Sequence, residues 1–360
     1  MARIHLDHVA HSYTDSPSEP GDWALREMDQ VWEDGGAYAL LGPSGCGKTT
    51  LLNTISGLIQ PSRGRVRYDD TDVTALPPER RNIAQVFQFP VLYDTMTVGG
   101  NLAFPLKNRG YDRAAIRERV RHVAEILDLQ DDLERRADSL GAEAKQKISL
   151  GRGLVRPDVA AILFDEPLTV IDPQLKWHLR RKLKQVHEQT NSTLIYVTHD
   201  QNEALTFADR VAVMVEGQVV QLGTPQELFE TPRHTFVGYF IGSPGMNLLP
   251  CTVANGEAVL DGGRVPLDAA AAGRLDGHNG TLQLGIRPEF VGFHPNGHTG
   301  LPVSVEAVED LGTYRMLSLR LGGHPIKAKQ DEFAPPPGES GRVVFPPEWI
   351  RLYADNVLVA

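Results

Sequence analysis

"GPSGCGKTT", Gly42 to Thr50, follows the apolar run "AYALL" and leads into "TTLLNTISGLI", whose apolar residues recur at helical spacing. A strand entering and a helix leaving give the pattern G-x-x-x-x-G-K-[ST] its structural context. In such a loop glycines let successive backbone N–H groups turn inward around phosphate oxygens, and the helix N-terminus adds partial positive charge. The spacing assigns Gly42, Pro43, Ser44, Gly45, Cys46, Gly47, Lys48, Thr49 and Thr50 to a phosphate cradle. Lys48 would reach the β- and γ-phosphates of a nucleotide, and Thr49 would bind Mg²⁺.

Downstream, "AAILFDEP" carries Asp165 and Glu166 to the C-terminal end of a buried strand, where an open α/β sheet places its ligands. There Asp165 can hold Mg²⁺ or its water shell, and Glu166 can orient and deprotonate an attacking water. An exposed acidic strand end is the plainer reading, and the phosphate loop upstream weighs against it.

Around these two sites apolar runs alternate with helical segments. "NIAQVFQF", "VAAILFD" and "STLIYVTH" read as strands; "RAAIRERVRHVAEIL", "PQLKWHLRRKLKQVHEQ" and "QNEALTFA" read as helices. That alternation implies a mostly parallel sheet with helices packed on it. "RIHLDHVA" reads as an opening strand, on which His8 would face away from His5 and His11, so these histidines make no metal site. After about Gly242 short runs such as "TLQLGIRPEFVGF" and "GRVVFPPEWIRLY" are separated by Gly, Pro, Asn and Asp, the texture of a small all-β barrel or sandwich. The expected domains are 1–240 and 241–360, with a helical subdomain at about 90–155 and "DAAAAGRLDGHNG", 268–280, as a surface loop of the second domain.

The chain's 360 residues, 41% hydrophobic, suffice for two cores, and a net charge of −10 argues against nucleic acid as the main partner. Two distant cysteines, Cys46 and Cys251, suggest a reducing cytoplasm. The N-terminal stretch lacks the apolar core of a signal peptide, and no window supplies the roughly 18 apolar residues of a membrane span.

Taken in order, these pieces resemble an ABC-transporter ATPase, a P-loop α/β fold that uses ATP and Mg²⁺. "VFQFPVLYDTMTVGGNLAFPL" resembles the family's Q-loop segment, which implies that Gln88 reaches Mg²⁺ and senses membrane subunits. "LTVIDPQLK" resembles the D-loop, with Asp172 at a dimer contact, and "LIYVTHDQNEA" the switch region, with His199 at the γ-phosphate. Tyr13 falls where the family stacks an aromatic on adenine, with Trp23 as a rival. "GSPGMNLLP", "LGIRPEF" and "PPEWIRLYAD" are similar to the C-terminal OB-like, TOBE-type domain of carbohydrate-importer ATPases. Plainer roles stand beside these: Gln88 as a solvated strand end, His199 as part of a helix cap.

The signature is where the chain departs from the family. "KQKISLGRGLVR" fixes the register, so Leu140, Gly141, Ala142, Glu143 and Ala144 occupy the positions of Leu-Ser-Gly-Gly-Gln. The serine that binds the γ-phosphate held by the opposite subunit is absent, and Glu143 brings a carboxylate towards a triphosphate. Damage confined to the half that serves the other subunit implies an asymmetric pair with a different ATPase chain that has an intact signature. The resemblance, which is greatest to one of the paired ATPases of proteobacterial glycerol importers, further implies membrane permeases contacted through a groove near Tyr93, a periplasmic binding protein met indirectly, and a peripheral place on the cytoplasmic face of the inner membrane. Two alternatives remain within the family: an ATP-binding subunit with a regulatory or structural role, and a homodimeric sugar or glycerol-phosphate importer ATPase.

Overall fold

The computed structural model describes residues 2–169, 171–190, 192–267, 273–275 and 280–359. It divides into two compact units, Met1–Leu222 and Gly223–Ala360.

In the first unit β1 (Ile4–Ser12) pairs antiparallel with β2 (Trp23–Trp32). After β3 (Ala37–Leu41) and α1 (Lys48–Ser56), β4 (Arg63–Tyr68) joins the other edge of β1 and β5 (Thr71–Asp72) turns back on β4. This antiparallel sheet was not expected from the strand–helix alternation. The chain continues through β6 (Ala84–Val86), α2 (Val98–Lys107), α3 (Arg113–Ile126), α4 (Ala142–Leu154), β7 (Ile162–Asp165) and α5 (Pro173–Thr190). It then forms β8 (Leu194–Thr198), α6 (Gln201–Phe207), β9 (Arg210–Val215) and β10 (Gln218–Gly223).

The second sheet has the order β10-β9-β3-β8-β7-β6, and β9, β3, β8, β7 and β6 run parallel. β3, β7 and β8 are buried along their whole length, as strands covered on both faces must be. Leu40, Leu51, Leu163 and Val197 share one core cluster, and truncating such a leucine to alanine costs about 2–5 kcal/mol. The registers Leu41↔Thr198, Asp165↔Val197 and Val86↔Phe164 bring the C-terminal ends of β3, β8, β7 and β6 to one edge. Among the described residues no helix is long and apolar enough to cross a membrane.

The second unit opens with α7 (Pro225–Glu230) and α8 (Thr235–Phe240), so it starts earlier in the chain than the change in composition suggests. A reciprocal capping box starts α7: Glu227 N–H donates to Thr224 Oγ1 and Thr224 N–H to Glu227 Oε2. Both helices are tied to the strands that follow by Arg287 and Tyr353, whose side chains donate to carbonyls of Phe229, Ile241 and Pro232. Among the described residues eleven strands, from Asn247–Ala254 to Val357–Leu358, form sheets of six and five strands around Leu284, Leu317, Leu319 and Leu352. Most of the 268–280 stretch lies outside the described residues; within it Leu275 packs into this core.

Candidate nucleotide and hydrolysis site

At the end of β3 the loop is shaped by positions that exclude side chains. A Cβ on Gly42 would sit 2.3 Å from the Met214 carbonyl oxygen, and one on Gly47, at φ +99°, 2.4 Å from that of Ala24. Gly47 also caps α1 without any side-chain bond, so no side chain competes for the first-turn N–H groups. Lys48 is buried and arches back over the loop, its Nζ donating to the carbonyls of Gly42 at 2.8 Å and Pro43 at 2.9 Å. A glycine-lined turn, a buried ammonium and an uncapped helix start fit a chain of phosphates.

Thr49 Oγ1 donates to Asp165 Oδ1 at 3.2 Å, which joins the loop to the end of β7. Burial raises the pKa of Asp165; the Thr49 bond and Lys48 oppose this, and the Glu166 carboxylate adds to it. A hydroxyl beside a carboxylate is a hard oxygen donor set that suits Mg²⁺. Gln88 lies two residues beyond β6, at the same sheet edge.

Glu166 turns away from the strand with φ +45°, a left-handed conformation that costs a side-chain-bearing residue roughly 1–2 kcal/mol. Three contacts hold it there: its N–H donates to Val197 O at 3.0 Å, and its carbonyl accepts from the Thr169 N–H at 3.3 Å and from Thr169 Oγ1 at 3.1 Å. Its Oε2 also accepts from Thr169 Oγ1, at 3.3 Å, and lies 3.1 Å from His199 Nδ1. The backbone of Glu166 is thus fixed by β8 on one side and the 166–169 turn on the other, and its carboxylate lies between Thr169 and His199, which is more than half exposed.

Tyr13 is 67% exposed and its Oη lies 3.2 Å from Thr50 Oγ1, while His11 meets its ring edge-on at 4.7 Å. Trp23 instead lies beneath the Arg63 guanidinium, 4.8 Å from the ring centre. His8 sits in a bulge of β1 at φ +51°, which breaks the alternation assumed for the three histidines, and its Nδ1 contacts Glu27 and Asp29.

Gly141 caps α4 with no side-chain bond, is exposed together with Ala142, and has open space where a Cβ would stand. Glu143 pairs with Lys147 at 2.9 Å and Lys145 with Asp94 at 2.8 Å, so the acidic charge that would oppose a triphosphate is matched within its own helix. Ser139 Oγ donates back to Arg136 O at 2.7 Å. Asp172 is exposed and caps α5, accepting the Gln174 N–H at 3.0 Å.

Two residues here were not singled out from the sequence. Thr169 steadies Glu166, and buried Gln146 on α4 donates to Pro167 O at 2.7 Å, tying the signature helix to the segment after Glu166. A hydroxyl three residues after the carboxylate was a readable signal for Thr169; Gln146 bonds a remote carbonyl that no local spacing announces.

The ABC transporter family profile matches residues 25–169, the profile of the MalK OB fold domain 242–291, and that of the TOBE domain 284–352. An sn-glycerol-3-phosphate import ATP-binding protein of a Jannaschia species is 41% identical over 325 residues, covering 90% of this chain and 89% of the relative. A trehalose/maltose import ATP-binding protein of Thermococcus litoralis is 43% identical over 318 residues, 83% and 85% of the two chains. A sulfoquinovosyl glycerol transport ATP-binding protein of Agrobacterium fabrum is 37% identical over 334 residues, 91% and 92%. Among solved structures, a dimeric ATP-binding cassette in a post-hydrolysis state, bound to ADP and Pi, aligns with a TM-score of 0.54 at 25% identity, covering 62% of this chain and 98% of that one. With its phosphate loop, strand-end carboxylates and OB-like second unit, the chain belongs to the ABC-transporter ATPases, in the branch whose ATP hydrolysis drives sugar and polyol import.

Proposed function

We propose that this chain hydrolyses ATP in a composite site, its own loop and carboxylates facing a signature supplied by a second, different ATPase chain, and that the pair drives uptake of a small polyol, glycerol first among them. One contrast carries the reading. Glu166 is held by β8 and Thr169 in a costly backbone conformation, with its carboxylate beside His199, whereas Gly141 lacks the hydroxyl that would serve the other subunit's nucleotide. The solute class is supported by relatives named for sn-glycerol 3-phosphate and sulfoquinovosyl glycerol, both of which contain a glycerol unit.

In this mechanism Tyr13 stacks on adenine and Lys48 binds the β- and γ-phosphates. Thr49, Asp165 and Gln88 hold Mg²⁺, which neutralises phosphate charge when bound. Glu166 takes the proton of the attacking water, and His199 binds the γ-phosphate while its contact with Glu166 keeps the carboxylate aimed. ATP closes the dimer by binding the closed form more tightly than the open one, and hydrolysis removes that preference. Asp172 meets the partner ATPase. Exposed Phe89, Val91 and Tyr93 offer a surface to permeases on the cytoplasmic face of the membrane; Tyr93 is braced by Phe104 at 4.6 Å and by the Arg152 guanidinium at 4.8 Å. The binding protein acts through the permeases.

Phosphate release by the chain alone, by its partner alone and by the mixture tests the asymmetry: only the mixture should turn over fast, and equal activity of the chain alone would sink it. Loss of maltose uptake with glycerol uptake intact, in cells lacking the chain, would move the solute to a sugar. Gly141→Ser should raise phosphate release by the chain alone about tenfold, since a hydrogen bond to a charged group contributes about 1.5 kcal/mol or more and the added side chain meets open space. Tyr13→Ala should raise the KM for ATP about tenfold with kcat unchanged, in keeping with roughly 1–3 kcal/mol for a base stacked on an aromatic.

A further inference from the structure

Glu203, in the first turn of α6, is buried and takes no part in the chemistry above. Its Oε2 accepts from Thr198 Oγ1 at 2.9 Å and Tyr196 Oη at 3.0 Å, both on β8. Its Oε1 lies 3.6 Å from the ammonium of Lys176, in the first turn of α5. Taking a carboxylate out of water costs several kcal/mol unless such donors replace the solvent. Burial, reinforced by the Glu203 charge, holds the Tyr196 phenol well above its ordinary pKa, so it remains a donor.

One partner, Thr198, links the two sides of the switch. Thr198 Oγ1, while donating to Glu203, accepts the Asp200 N–H at 3.0 Å, and Asp200 Oδ1 accepts the N–H groups of Asn202 at 2.8 Å and Glu203 at 3.4 Å. The residue before His199 is therefore bonded to the buried carboxylate directly and the residue after it through the Thr198 hydroxyl, although His199 itself is mostly exposed. Lys176, the third partner, donates its N–H to Asp172 O at 2.8 Å, so the same carboxylate reaches the start of the helix behind the dimer-contact segment.

We propose that Glu203 is a positioning residue, a buried post that fixes the Thr198–His199–Asp200 turn to the start of α5 so that His199 meets Glu166 in the geometry hydrolysis needs. It rests on the reading of Glu166 and His199 as the hydrolytic pair. Displacing a reacting group by about 1 Å can cost roughly a hundredfold in rate, so loosening the turn acts on kcat, while the phosphate loop is left untouched.

The test is made on the assembled importer in liposomes, with a fluorescent ATP analogue reporting nucleotide affinity. Glu203→Ala should lower kcat about tenfold or more with affinity unchanged within twofold. Glu203→Gln, which keeps an oxygen for both hydroxyls, should recover most of that loss. Thr198→Val, which removes the hydroxyl and little volume, should lower kcat in the same way, and it decides the matter if Glu203→Ala does not fold. Unchanged kcat in Thr198→Val and in folded Glu203→Ala overturns the proposal, as does a loss shared equally between kcat and affinity. Glu166→Gln and His199→Ala are measured alongside: if they retain turnover the hydrolytic reading fails, and if they abolish it while the Glu203 and Thr198 variants do not, the positioning role alone fails.

Discussion

Glu166→Gln is expected to lower ATP turnover by roughly 10²- to 10⁴-fold, the contribution of a well-placed general base, while nucleotide affinity stays within about twofold. The variant isolates one property. Glutamine has the same shape, its oxygen still accepts from Thr169, and the bond from the residue's N–H to Val197 does not involve the side chain. What is lost is an oxygen able to take a proton from water. ATP should therefore still draw the two ATPases together, and the closed dimer should accumulate because the step that ends its preference is blocked. Size-exclusion chromatography of the chain mixed with its partner, with and without ATP, reads the dimer; phosphate release reads turnover. If the pair is asymmetric as proposed, the substitution in this chain should abolish nearly all hydrolysis, whereas the equivalent change in the partner should leave most of it. Turnover within tenfold of the parent would remove Glu166 from the role of base.

The phosphate loop was legible because its requirement is local: glycines at crowded or left-handed positions, a strand before and a helix after. The parallel strands were legible as short apolar runs. The antiparallel sheet was not, and its burial pattern explains why. On β2 the buried residues are Leu25, Met28 and Trp32, three and four apart, because register shifts around Val9 and His11 break the period of two. On β4 only Val66 and Tyr68 are buried, among arginines. The same bulge defeated the argument about His8. The unit boundary was read from composition, yet α7 and α8 are assigned by bonds to Arg287 and Tyr353 far along the chain. At the signature, register identified Gly141; the open space above it and the pairing of Glu143 with Lys147 required coordinates, although an acid four residues before a lysine was already in the sequence.

Arg287→Met is expected to destabilise the second unit by about 3–5 kcal/mol, the range found when one partner of a buried charged network is removed. Arg287 is 1% exposed, and its guanidinium donates to the carbonyls of Leu228, Phe229, Gly238 and Ile241. These oxygens lie at or near the ends of α7 and α8, where helices leave carbonyls without intrahelical partners and where partial negative charge gathers. The Phe229 ring covers the cation, 4.1 Å from its Cζ. Burial pushes the guanidinium down to about 10, which leaves it charged at neutral pH. Methionine can fill the space but donates nothing, so four carbonyls lose a donor at once. Lysine keeps the charge but not the planar fork, and Arg287→Lys should lose less than methionine does. Trp349, stacked on Phe290 at 3.8 Å, is the one tryptophan of the four beyond residue 222, so fluorescence in a Trp23, Trp32 and Trp177 to Phe background reports this unit's urea unfolding. A loss of stability below about 1 kcal/mol would mean that water satisfies those carbonyls as well as the guanidinium does.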